Sequence, residues 1–287
     1  MRLFLLTSLT MLAFAANSIL TRLALVGGGI DAMSFGTVRL VAGAAMLAVL
    51  MLVLRQSLTL GGRGRLIGVA SLLLYMYGFS TAYVVLDAGL GALILFGVVQ
   101  ITMFLGALLG GEHPPIHRSV GAALAFLGLA WLLWPGEGAV LSPVHGALMA
   151  AAGVGWGIYS LSGRNASDPL QATAANFILA VPLCVMLVFL TTVDSGGLVA
   201  DAHGILLAVV AGAVTSGLGY ALWYSVLPKL ERSVAAVAQL TVPVIALVGG
   251  LVFLGEVPSI EFALAAALVL GGVFVSVMPT GSTARRN

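Results

Sequence analysis

Polar residues fall along this chain in short clusters, and between the clusters run long segments that are almost wholly apolar. A helix that crosses a bilayer needs roughly 20 predominantly apolar residues, with a range of about 17 to 25. Dividing the chain at its charges, prolines and glycine clusters gives ten such spans, near 3–26, 33–54, 66–86, 89–110, 118–134, 144–162, 170–192, 203–227, 233–254 and 259–278. The joining stretches are very short, so successive helices should run antiparallel in one bundle, with no soluble domain between them. The pattern predicts an all-α polytopic membrane protein. Arg2, a short apolar stretch and Ala13-Phe14-Ala15 resemble a cleavable leader, but the apolar run continues to Val26, longer than a leader core. The first span is therefore expected to be retained.

Composition strengthens this reading. The chain is 61% hydrophobic and 8% charged, with a mean hydropathy of +1.15, whereas a soluble domain carries about 25% charged residues. Lipid must be the solvent for most of it. The single cysteine, Cys184, lies inside an apolar run, which excludes an internal disulfide and predicts a packing role.

With ten spans, both termini and every even-numbered loop share one side. That side holds Arg2, Arg55, Arg63, Arg65, Arg118, Arg164, Lys229, Arg232, Arg285 and Arg286, while the other holds only Arg22, and Arg39 lies within span 2. The asymmetry predicts cytoplasmic termini by the positive-inside rule, and a bacterial inner membrane as the location. The arginines are dispersed over short loops and form no basic face, so nucleic acid is not an expected partner.

The chain also repeats. At a shift of 144 residues Gly111 falls on Gly255, Glu112 on Glu256, Pro114 on Pro258, Gly106 on Gly250, Gly128 on Gly272 and Asp87 on Glu231. Nearer the start the shift is 142, aligning Phe14-Ala15 and Arg22 with Trp156-Gly157 and Arg164, or 137, aligning Asp31 and Arg39 with Asp168 and Asn176. Each half, 1–138 and 139–287, holds five spans. An odd number makes the second half enter from the opposite face, giving two inverted five-helix repeats, an architecture suited to alternating access around a midplane site.

Trp156-Gly157-Ile158-Tyr159, the stretch AVAQLTVPVIALVGGLVFLGE of span 9, the following ALVLGGVFV and, in the first half, AALAFLGLAWLL resemble the drug/metabolite transporter superfamily, specifically its ten-helix EamA-type branch. The resemblance covers roughly residues 5 to 278. Two departures fall in the first half: Val99 stands where span 9 has Pro243, and Phe14-Ala15 stands for Trp-Gly. The resemblance implies export or exchange of small metabolites, amino acids prominent among them, and the likeness extends to bacterial aromatic amino-acid exporters.

Polar side chains inside spans are the candidate substrate-binding residues, because each is costly in lipid. Arg39 is the sharpest, since an arginine at a helix centre costs about 2.5–3.5 kcal/mol on insertion scales. It could pair with a substrate carboxylate, or snorkel to the end of span 2, about 10 Å away at 1.5 Å per residue. Gln100 and Gln239, at mid-span, could bind an amino acid or bond between helices. The same alternatives hold for Asn17 and Asn176. Tyr75, Tyr77 and Trp156 lie too deep for an interfacial belt, and Tyr75, Phe79 and Tyr83 share one helical face. Trp131, Trp134, Trp223 and Tyr224 lie at span ends and read as belt residues.

Small residues in spans 5 and 10, Gly121, Ala125 and Gly128 with Ala263, Ala267 and Gly271, suit close helix contact and offer a possible homodimer surface. The Gly-Glu-x-Pro signatures read as punctuation, with Glu112 and Glu256 placed on opposite faces and each favouring the start of the next helix. No Asp, Glu or His falls clearly within a span, which points to facilitated diffusion or exchange. There is no metal-ligand cluster, no phosphate loop and no catalytic triad, so neither a metal, a cofactor nor an enzymatic activity is expected.

Overall fold

Backbone polar groups cannot remain unpaired in hydrocarbon, so apolar segments of this length satisfy them internally as helices. The computed structural model describes residues 1–62, 64–111, 114–134, 142–164, 166–192, 199–230 and 232–278. Among these, α1 (Arg2–Val26), α2 (Ala32–Val53), α3 (Arg65–Ala82), α4 (Ala88–Leu109), α5 (Ile116–Leu132), α6 (Pro143–Arg164) and α7 (Pro169–Thr192) follow one another with short connections. Helix α8 spans Ala202–Lys229 and carries π-turns over Ala211–Leu218. Helix α9 is α-helical over Arg232–Gly249 and π-helical over Gly250–Leu254, and α10 covers Ile260–Val277. All but α5 are long and apolar enough to cross a membrane; the 17 residues of α5 reach about 26 Å at 1.5 Å per residue. The chain is an all-α polytopic membrane protein.

Local chemistry sets the helix ends. Asp31 caps α2 by accepting from the backbone of Met33 and Ser34, Asp201 caps α8 through Gly204 and Ser259 caps α10 through Phe262. Each supplies an acceptor for N–H groups that have no intrahelical partner. Pro243 lies inside α9, where its missing N–H leaves the carbonyl of Gln239 without the usual helical bond.

Successive helices reverse direction, so one face of the bundle carries the start of α1 and the end of α10. We refer to it as the terminal face and to the other as the distal face. Packing partners come in related pairs. Helix α6 lies against α3 and α4, and α1 lies against α8 and α9; α2 meets α7, α4 meets α9, and α5 meets α10. Exchanging first-half helices for their second-half equivalents converts the first two sets into each other and leaves the last three pairs unchanged. Gly111 and Gly255, aligned by the repeat, both adopt left-handed backbone, with φ of 79° and 67°, a region that glycine enters without steric cost. The expected division near residue 138 lies outside the described residues, as does Glu112.

The α5–α10 contact corrects one expectation. A Cβ on Gly121 would collide with the Gly272 carbonyl and lie 2.5 Å from the Ser276 nitrogen, and one on Gly128 would lie 2.8 Å from Val269. Gly121, Ala125 and Gly128 therefore serve packing within one chain, which removes them from any dimer surface. Ala263, Ala267 and Gly271 are exposed on the outer side of α10. Space around Gly271 is open, so the two glycines form a controlled pair. Gly121→Ala should lower stability by about 1–3 kcal/mol through overpacking, whereas Gly271→Ala should change it by less than about 0.5 kcal/mol. Thermal unfolding of the two variants in detergent reads the difference.

Candidate functional site

Where α1, α2, α3, α6 and α8 converge, a polar cluster is held inside an aromatic shell. Arg39 on α2 is fully buried. Its Nε donates to Ser216 Oγ at 3.0 Å and its Nη2 to the Tyr75 hydroxyl at 2.8 Å. The guanidinium carbon lies 4.9 Å from the Phe79 ring centroid and 5.3 Å from that of Tyr75, so aromatic faces supply part of the stabilisation that water would otherwise give. Snorkelling is thereby excluded. No carboxylate pairs with Arg39 among the described residues, and its buried Nη1 has no hydrogen-bond partner among them.

The reason Arg39 meets α8 so closely lies in backbone approach. A Cβ on Gly212 would run into the Arg39 carbonyl and lie 2.8 Å from Ala42 Cβ, so glycine lets α8 rest directly on α2. Four residues further along the same π-turns stands Ser216. π-Turns inside helices are rare and recur at functional sites because they redirect side chains. Here they deliver Thr215 and Ser216 to one cluster.

Tyr75 is the hub. Its hydroxyl oxygen accepts from Arg39, from Asn17 Nδ2 at 3.2 Å and from the Tyr220 hydroxyl at 3.4 Å, while Thr215 donates to Asn17 Oδ1 at 3.1 Å. Trp156 closes the shell, 5.0 Å from Tyr75, 4.8 Å from Tyr220 and stacked on Tyr159 at 5.5 Å, with Phe14 edge-on at 6.3 Å. Two contacts join residues that the repeat makes near-equivalent. Phe14 and Trp156 align at the shift of 142, and Tyr75 and Tyr220 are 145 apart. Of the two contacts, Phe14–Trp156 joins aligned positions, and Tyr75–Tyr220 joins positions one residue out of the 144 register.

Phe14, Asn17, Ser18, Tyr75, Phe79 and Trp156 are among the residues lining a cavity beside the cluster, with about 20 Å3 open to the centre of a water molecule. That is room for about one water. A metabolite would need the walls to separate.

Four of the eight candidates therefore come together: Asn17, Arg39, Tyr75 and Trp156. The other four do not. Tyr77 points towards α2 and α7, its hydroxyl 2.8 Å from Thr37 Oγ1 and 3.5 Å from the Cys184 carbonyl. Asn176 accepts from Arg65 Nη1 at 2.9 Å towards the terminal face. Gln100 and Gln239 are half-buried and outside the cavity lining. Tyr220, Thr215 and Ser216 escaped the sequence reading because short hydroxyl residues are common in apolar helices, and Tyr220 stood beside two supposed belt residues. Trp223 is not a belt residue: it is buried, 5.9 Å from Phe14. Tyr220 was recoverable from the repeat, as the near-partner of Tyr75.

The two faces differ. On the distal side Arg22 donates to Glu256 Oε1 at 3.0 Å and to the carbonyls of Tyr83 and Val84 at 3.0 and 2.8 Å, and lies 3.5 Å from Asp87. Glu256 Oε2 also accepts from the Ala88 N–H at 2.8 Å. Glu256 was expected to favour the start of α10; it instead serves the start of α4, whose own cap residue Asp87 makes no side-chain cap bond. Burial pushes the Glu256 carboxyl above the ordinary glutamate range, bonds from Ala88 and Arg22 oppose the rise, and the Asp87 carboxylate adds to it. Nearby, the Asp31 N–H donates to the Val199 carbonyl at 2.9 Å, joining the α1–α2 and α7–α8 connections. Helix α4 is buried over most of Ala88–Val99, yet no residue from Gln100 to Leu109 is buried. Both faces carry ties: on the terminal side Arg65 Nη1 donates to the Ala172 carbonyl at 2.8 Å as well as to Asn176, while the terminal half of α4 is less buried than its distal half.

Glu256 should take up a proton at higher pH than an exposed glutamate, because its carboxyl is raised; above that pH the Arg22 ion pair is intact, and below it the pair is lost. In a Cys184→Ser background, Ser18→Cys should react with a membrane-impermeant thiol reagent added at the distal face about tenfold faster once Glu256→Gln removes the charge-assisted bond. Acidification should accelerate the parent in the same direction.

Comparison with known proteins gives the family. The EamA-like transporter family pattern matches residues 146–278. A protein of Pseudomonas aeruginosa described only as uncharacterised is 45% identical over 99% of this chain and 98% of its own. An uncharacterised transporter of Archaeoglobus fulgidus is 26% identical over 74% of this chain and 75% of its own. A Salmonella typhimurium protein named "Probable amino-acid metabolite efflux pump" is 24% identical over 67% of this chain and 68% of its own. A solved crystal structure shares the fold with a TM-score of 0.64 over 93% of this chain and 96% of its own, at 19% identity. A ten-helix bundle whose halves meet at one buried polar centre, joined to these matches, identifies the chain as a membrane transporter of small metabolites belonging to the EamA-like transporter family of the drug/metabolite transporter superfamily.

Proposed function

We propose that this transporter works by alternating access, its two inverted halves, 1–138 and 139–287, rocking about the Tyr75–Tyr220 centre. The observation that carries the proposal is the cavity's position where the halves meet, lined from both, with Phe14 facing Trp156 and Tyr220 bonded to Tyr75. Such placement supports a site that each face reaches in turn. The positive-inside asymmetry supports cytoplasmic termini in a bacterial inner membrane, and the family match and the Salmonella typhimurium relative support an exporter or exchanger. The aromatic shell and the hydrogen-bonding centre fit small amphipathic metabolites. Amino acids are the first class to test, in keeping with the name of the Salmonella typhimurium relative. The outward Ala263, Ala267 and Gly271 of α10 are the surface through which two copies would pair.

Proteoliposomes loaded with unlabelled amino acid should show saturable counterflow of labelled substrate, accelerated from the trans side. Arg39→Ala should cut counterflow of carboxylate substrates about tenfold or more, the effect of removing a charge-assisted bond. Flux that rises linearly with concentration and ignores trans substrate would indicate a pore and overturn the proposal.

A further inference from the structure

The polar centre holds many donors and few acceptors. Arg39 brings five N–H groups, Asn17 two, and Tyr75, Tyr220, Thr215 and Ser216 one O–H each. Against them stand Ser216 Oγ, which accepts from Arg39 Nε, the Ala211 carbonyl 2.7 Å from Thr215 Oγ1, and the cluster's one side-chain carbonyl, Asn17 Oδ1, 3.1 Å from the same hydroxyl. One phenol oxygen, that of Tyr75, receives three of the donors, although it has two lone pairs. Arg39 Nη1 finds no acceptor among the described residues. No acidic residue lines the adjoining cavity, and none among the described residues pairs with the arginine.

A carboxylate in the cavity would bring a negative charge close to Arg39 and two acceptor oxygens to the Asn17, Tyr75, Thr215 and Tyr220 donors that line it. Tyr75 lines the cavity and, with its oxygen occupied as an acceptor, has its own proton to donate there; Arg39 supplies the charge from behind it. An ammonium group would find the opposite. The cavity offers it no carboxylate, and a second positive charge beside Arg39 raises the electrostatic cost. Resting on the carrier reading above, we infer that the site selects net monoanions, carboxylates with an aromatic or apolar body and no compensating amine. Amino acids enter as carboxylates, and their deaminated counterparts bind better.

Three ligands on one skeleton test this: 3-phenylpropionate (anion), phenylalanine (zwitterion) and 2-phenylethylamine (cation). Binding to purified full-length protein is read by quenching of tryptophan fluorescence, since Trp156 walls the cavity, and by thermal shift. The anion should bind about tenfold more tightly than the zwitterion, the difference of roughly one charge-assisted bond, and the cation most weakly. Arg39→Gln should remove the preference, Arg39→Lys should keep part of it, and Tyr75→Phe should weaken the anion more than the amine. Equal or tighter binding of phenylalanine or the amine, no binding by any of the three, or an unchanged order in a folded Arg39→Gln would overturn the inference. The wild-type order is decisive even where a variant fails to fold. Counterflow with the same ligands separates the two readings: anion-selective binding without counterflow sinks the carrier and leaves the site, whereas counterflow that favours the zwitterion sinks the anion selectivity and leaves the carrier.

Discussion

One arginine, with no acidic partner among the described residues, organises the middle of this protein. Placing a cation within a helix that crosses lipid is costly, and Arg39 is held there by Ser216, by Tyr75 and by the faces of two aromatic rings. Each support imposes a demand on the chain. Ser216 reaches the guanidinium because π-turns re-aim α8, and α8 comes near enough because Gly212 lets two backbones touch. Tyr75 is fixed in turn by Asn17 and Tyr220, which ties α1, α2, α3 and α8 to one point.

Symmetry and its breaking both matter at that point. Phe14 with Trp156 brings aligned positions of the two halves together, and Tyr75 meets Tyr220 one residue out of register. The charge is not matched. Where the first half has Arg39, the second has Asn176, which bonds Arg65 towards the terminal face instead of joining the centre. The charge at the centre therefore comes from one side only, and the proposed anion selectivity rests on this departure from the repeat.

Much of the fold was legible in the sequence because lipid imposes a simple rule: long apolar runs become helices, and short polar joints reverse them. Two glycines that the sequence pattern aligned, Gly111 and Gly255, both take left-handed backbone. The site was legible only in part. Arg39 and Asn17 stood out as costly groups, and Tyr75 and Trp156 as aromatics too deep for a belt. Gln100 and Gln239 looked equivalent on the same grounds, yet depth alone does not say which way a helix face turns. Ser216 was hidden because its role depends on π-turns that no local pattern announces, and Glu256 because its partners, Arg22 and Ala88, are remote in sequence.

If the carrier alternates as proposed, its two faces should move in opposition around the Arg39 centre. Electron–electron resonance distances between spin labels test this most directly, with one pair at exposed Val85 and Val257 on the distal side and another at exposed Leu105 and Val237 on the terminal side. Without ligand, the distal pair should be close and narrowly distributed and the terminal pair more widely separated. Saturating 3-phenylpropionate should lengthen the first distance as it shortens the second. Two pairs that stay fixed, or that lengthen and shorten together, would contradict the account.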